Sequence, residues 1–134
     1  MAEQINYKFG LLYFYWLMAG ADGKRSTNND DPEWIMMQKM KKFEEITDKE
    51  LDDFLHRDLG KEEDQIEKIL FALVITHHRD RVRALAWMDI IMFADGYLHD
   101  NEEYLYNKVR NKFEIDEFEI KRMKQYLIDA TSDL

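Results

Sequence analysis

Residues 9–23 read FGLLYFYWLMAGADG, thirteen uncharged residues closed by Asp22 and Gly23. A helix that is apolar around most of its circumference offers no face to water, so other helices must surround it. Residues 82–96, VRALAWMDIIMFADG, repeat the pattern, with Arg83 and Asp89 the only charges before Asp95 and Gly96. Two central helices in one short chain point to an all-α bundle. Trp16, Leu17, Leu85, Met88 and Met92 are its expected core. The first run is too short to cross a bilayer, which takes about twenty apolar residues. Ala19-Gly20-Ala21 imitates a signal-peptidase site, but Glu3 and Lys8 precede the run where a secretory signal carries a positive region. The expectation is a buried helix, no membrane insertion and a cytoplasmic protein.

Composition agrees. The 134 residues include 28 acidic and 19 basic side chains, for a net charge of −9, and 46% are hydrophobic. The length suits a single domain over 1–134 that buries about 65–70% of its unfolded surface. Enough Leu, Ile, Phe, Met and Tyr accompany the charges to drive collapse, which excludes low-complexity disorder. The absence of cysteine removes disulfides, thiolate-ligated metals and thiol catalysis together. The acidic balance disfavours nucleic acid and anionic membranes and suits cations or basic partner surfaces. One Pro and five Gly favour helices over a turn-rich β architecture.

Apolar spacing predicts seven helices, near 5–21, 32–45, 48–58, 62–77, 80–95, 101–113 and 117–131. Asp31 can cap a helix that begins at Pro32, and Thr47 with Glu50, Asp100 with Glu103 and Asp116 with Glu119 have capping-box spacing. Gly23 and Gly96 are placed to end helices in a left-handed conformation. Ile66, Ile69, Leu70, Leu73 and Val74 form one apolar stripe. Met36, Met40, Met88, Met92 and Met123 fall at helical core spacing, so packing is preferred to an adaptable methionine surface.

The punctuation recurs. Ala21-Asp22-Gly23 matches Ala94-Asp95-Gly96 at an offset of 73 (95 against 22), and residues 46–51, ITDKEL, align with 115–120, IDEFEI, at an offset of 69 (115 against 46). Asp31 and Glu33 align with Asp100 and Glu102 at that second offset. The chain therefore divides into two helix–loop–helix–helix units, near 5–58 and 80–131, joined by the helix near 62–77.

Asp22 and Asp95 stand at predicted helix C-termini, where free carbonyls oppose a carboxylate. Each precedes an acidic helix start that contains Glu33 or Glu102. Oxygen-only ligands of this kind suit Ca²⁺ or Mg²⁺; alternatively, Asp-Gly is a turn pair and the acids are caps. An EF-hand is excluded, because Lys24 and Thr27 occupy its third and sixth positions and the second loop reaches Tyr106 at the twelfth.

An apolar helix ending in Ala-Asp-Gly, an acidic loop and then Glu before a helix, present twice, resembles the TerB tellurite-resistance family. It is also similar to the N-terminal region of the DjlA co-chaperone. The likeness runs over residues 11–127 and is strongest from Ala94 through Glu102, then at Leu105, Val109 and residues 113–116. The resemblance implies an all-helical, pseudo-twofold domain with an acidic divalent-metal site, to which Asp22, Glu33, Asp95 and Glu102 would contribute. It also implies a tellurite or stress-response association. Lys24 and Arg25 in the longer first loop depart from the pattern, and no His-Pro-Asp motif accompanies it.

Other chemistry finds little footing. His77-His78 is expected near a helix C-terminus, and His56 and His99 are isolated. Arg79, Arg81 and Arg83 read as a solvated helix start. No Ser or Thr adjoins a base–orienter pair, and no glycine-rich phosphate loop occurs. The expected function is a non-enzymatic interaction module with a protein partner, with no catalytic residue. The alternatives are a metal-dependent hydrolase using the same carboxylates, or a purely structural adaptor.

Overall fold

Several helices are set by local signals that the sequence displays. In the computed structural model, which describes residues 6–20, 30–57, 60–95 and 100–133, the described residues form seven α-helices and no strand. They are α1 (Tyr7–Gly20), α2 (Pro32–Phe43), α3 (Asp48–Leu55), α4 (Glu62–Val74), α5 (His78–Met92), α6 (Asp100–Lys112) and α7 (Glu117–Ala130), with a 3₁₀ turn at Phe93–Asp95 after α5. The all-α expectation holds. No described helix is long and apolar enough to cross a membrane.

The caps carry most of the starts. Asp31 accepts from the N–H groups of Glu33 at 2.9 Å and Trp34 at 3.5 Å, with Pro32 in the first helical position. Thr47 and Glu50 complete a reciprocal box, each accepting the other's backbone N–H at 3.0 Å. Asp116 caps α7 by accepting from Phe118 at 2.8 Å, but Glu119 turns to His78 and no reciprocal box forms. Asp100 is the first residue of α6, and the expected box with Glu103 rests on a side chain outside the described residues.

The turn between α4 and α5 departs from expectation. α4 stops at Val74 and α5 begins at His78, so His77 and His78 open a helix rather than close one. The His77 N–H donates to Asp80 at 3.3 Å. Arg81 reinforces the end of α4, donating to the carbonyls of Leu73, Val74 and Thr76 at 2.7, 2.9 and 3.0 Å, and the Thr76 hydroxyl also donates to Leu73 at 2.7 Å. Val74 is 51% exposed, so the expected apolar stripe is buried at Ile66, Ile69 and Leu73 but not at its last residue.

Two helix ends close identically. Glu45 and Glu114 are left-handed, with φ of 57° and 52°. After them, the Ile46 N–H donates to the Lys41 carbonyl at 2.9 Å and the Ile115 N–H to the Arg110 carbonyl at 3.2 Å. This six-to-one closure is the Schellman pattern, here made with Glu where Gly is usual. Ile46 and Ile115 are both buried beneath it.

α1 and α5 form the centre. Leu11, Leu12, Tyr13, Phe14 and Met18 of α1 are buried, as are Leu85, Trp87, Met88, Ile91 and Met92 of α5. Trp16 is only partly buried, packing edge-on to Phe54 at 6.3 Å. The other expected core residues are buried, Met36 and Met123 partly so. α1 packs most closely on α4 and α5 on α7, while α2 lies on α5 and the 3₁₀ turn, and α6 on α1. The α1–α4 approach rests on Gly10, where an added Cβ would stand 2.6 Å from the Ala72 Cβ.

Candidate functional site

Of the four carboxylates singled out by the sequence, one has a described side chain. Glu33 sits in the first turn of α2 and is 8% exposed. Burial, followed by the negative charges of Glu33 and Asp31, raises the pKa of the Tyr15 hydroxyl on α1. Glu33 is therefore shielded from open solvent, with its charge felt at Tyr15. Asp95 ends the 3₁₀ turn, and Glu102 falls in the first turn of α6, but their side chains lie outside the described residues. Asp22 lies outside them altogether, as do Gly23, Gly96 and His99. Among the described residues, no three His, Asp or Glu side chains gather as metal ligands.

Beside the end of α5, a cleft of about 440 Å³ opens between α5, α6 and α7. Asp89, Tyr106, Glu103 and Lys124 line it. Asp89 stands half-buried on an apolar helix, and desolvation raises its pKa even though Lys124 approaches to 3.6 Å and pulls it down. The Tyr106 hydroxyl is raised as well, by burial and then by the Asp89 charge, so it stays protonated at neutral pH. Lys124 also lies 5.4 Å above the Phe93 ring. Arg110, on the far wall, is held by the Ile115 carbonyl and Glu117, both at 3.0 Å. The cleft thus has a carboxyl held toward its neutral form, a protonated phenol and an ammonium. Such groups can hydrogen-bond a polar ligand, and none is an activated nucleophile.

A second polar cluster ties α1, α2 and α5 together. Arg83 grips Glu44 with Nε at 2.7 Å and Nη2 at 3.1 Å, and reaches Asp80 with Nη1 at 3.1 Å. The Trp87 indole donates to the same carboxylate at 2.9 Å. The guanidinium lies 4.9 Å from the centre of the Tyr7 ring. With Glu44 almost fully buried, these contacts fix helices rather than present a site. Arg83 and Arg81 are therefore not a solvated helix start. Their role follows from where α5 lies, which charge counting along the sequence does not reveal.

His78 Nε2 stands 3.0 Å from Glu119 across the α5–α7 seam. His56 closes α3, and the Asp52 carbonyl and then its carboxylate raise the imidazole pKa. Lys124 and Tyr106 carry no sequence mark, although Asp89, a lone acid on an apolar helix, signals that some partner must exist. Comparison with protein-family models, curated proteins and solved structures gives no match.

Proposed function

We propose that this chain is a non-enzymatic, TerB-like helical interaction module built from two related units, residues 5–58 and 80–131, within one domain. The observation that supports the duplication is the paired closure at Glu45 and Glu114, with the same hydrogen bonds 69 positions apart (114 against 45). The crosswise packing of α2 on α5 and of α6 on α1 supports it too. A chance likeness between helical segments gives no reason for two bulky residues to adopt the same strained conformation at matched positions.

In this reading Asp22, Glu33, Asp95 and Glu102 hold one or more divalent cations, Ca²⁺ or Mg²⁺, and the cation ties each loop to the following helix. The donor chemistry fits hard cations, since all four side chains end in carboxylate oxygen. A tellurite or stress-response association rests on the family resemblance alone, and the partner is a protein recognised by the module's surface.

Thermal unfolding with chelator, Ca²⁺ or Mg²⁺ tests the reading. A ligand bound only by the folded state raises the midpoint, by about 2.7 kcal/mol of stability at one hundred times its Kd. Asp95→Ala should remove part of that gain while leaving the chelated protein unchanged. An unchanged wild-type midpoint in millimolar cation would exclude the cation sites.

A further inference from the structure

Two exposed surfaces on this molecule are complementary to one another. The first is a groove of about 500 Å³ between α2, α5 and α7, lined by Met36, Ile90, Phe93 and Ile128. Phe93 and Ile128 are 45% and 42% exposed within it. Its charged lining consists of Lys39 and Lys124, with no carboxylate among the described residues. Lys124 is shared with Asp89 at 3.6 Å, so Lys39 is the main positive charge that the groove offers in a chain with nine more acids than bases.

The second surface is the outer face of α4. Phe71, Val74 and Ile75 are 56%, 51% and 57% exposed there, at the i, i+3 and i+4 spacing of one helix face. Glu67 and Asp64, one and two turns earlier on that face, are exposed as well. Lys68 turns inward, donating to the Tyr13 hydroxyl at 3.2 Å. The face is an acidic stretch followed by an apolar triad, the pattern an amphipathic helix shows when it docks in a groove.

We propose that the outer face of α4 on one molecule docks into the α2–α5–α7 groove of a second copy. Phe71, Val74 and Ile75 enter among Ile90, Phe93 and Ile128, and Glu67 and Asp64 lie toward Lys39 and Lys124. The contact joins two different surfaces, so it is heterologous, and a pair of copies keeps one free groove and one free helix face. The resulting association is concentration-dependent and head-to-tail, and it weakens as salt screens the carboxylate–lysine attraction. It does not depend on the cation sites, and chelator leaves it intact.

Complementation tests this directly. Sedimentation velocity in chelator should show wild-type self-association that grows with concentration and falls with salt. Phe71→Ser removes the inserting face and Lys39→Glu spoils the groove, so each variant alone should associate at least tenfold more weakly. Mixed together, they should form a one-to-one dimer that grows no further, because one supplies an intact groove and the other an intact helix face. Both substitutions lie outside the buried core, and circular dichroism checks that the helices are kept. Ile128→Asp replaces Lys39→Glu if that variant does not fold. A wild type that is monomeric at every concentration overturns the proposal. So does a mixture no more associated than its parts, or a dimer that neither variant weakens. Cation binding is read separately from the thermal midpoint, so either result can fail without the other.

Discussion

Arg83 and Glu44 meet as a two-pronged ion pair, Nε at 2.7 Å and Nη2 at 3.1 Å, with the carboxylate 7% exposed and the guanidinium 21%. The pair joins α5 to the residue that ends α2. Arg83→Leu should therefore destabilise the fold by about 3 kcal/mol, at the lower end for a broken buried pair because Arg83 keeps some solvent. Removing Glu44 as well, in Glu44→Met with Arg83→Leu, should recover part of that loss, since the nearly buried Glu44 charge is no longer stranded, although the Trp87 indole loses its acceptor. Urea denaturation of the single and double variants checks both.

Gly10→Ala should cost about 1–3 kcal/mol, the usual range for overpacking. The added methyl would stand 2.6 Å from Ala72, so α1 and α4 must separate. Ala72→Gly in the same chain should restore the space and recover part of the loss, less about 1 kcal/mol for glycine inside a helix. A double-mutant cycle by thermal unfolding would show coupling of opposite sign to the Gly10→Ala loss. Additive effects would mean that the two helices adjust independently.

Glu45→Gly and Glu114→Gly should each stabilise the chain by about 1 kcal/mol. Both residues sit at positive φ, where a side chain crowds the backbone and glycine does not. The Lys8 ammonium reaches the Glu45 main-chain carbonyl at 2.8 Å, a contact that glycine keeps. Equal gains at both positions would show that the two closures carry the same strain, and denaturant midpoints measure them.

Asp89→Asn should stabilise the protein near neutral pH and lose that advantage in acid. The folded carboxyl has a pKa above its ordinary value of 3.8, with desolvation the largest cause and Lys124 opposing it. A raised carboxylate pKa means that the folded state binds the proton more tightly than the unfolded chain. The cost of Asp89 is therefore full above the folded pKa, and it is relieved as pH falls through that value toward 3.8. Melting temperatures of wild type and variant across that range should converge from above.

The cap at Thr47–Glu50 shows how much of the fold is local. Its hydroxyl, carboxylate and spacing suffice to start α3, and the structure makes both bonds. Asp31 before Pro32 is equally self-contained, because the cap and its target N–H groups lie within three residues. The same logic overreached at Asp116–Glu119, where a histidine from another helix competes for the acid. It also overreached at the end of α4, where Arg81, from the following helix, caps carbonyls that the apolar stripe would have carried onward.

The sequence by itself determined the helical class, the two apolar central helices and most of the starts, since periodicity and capping act over one or two turns. The four candidate carboxylates were also named there, as a pattern of positions rather than a geometry. Only the tertiary structure decided that Glu33 is buried, that Arg83 finds Glu44, and that Asp89 is approached by Lys124. Those pairings join residues up to 39 positions apart, and no local rule selects one distant partner over another of the same charge. Packing brings the pairs together, and desolvation then makes the choice of partner matter.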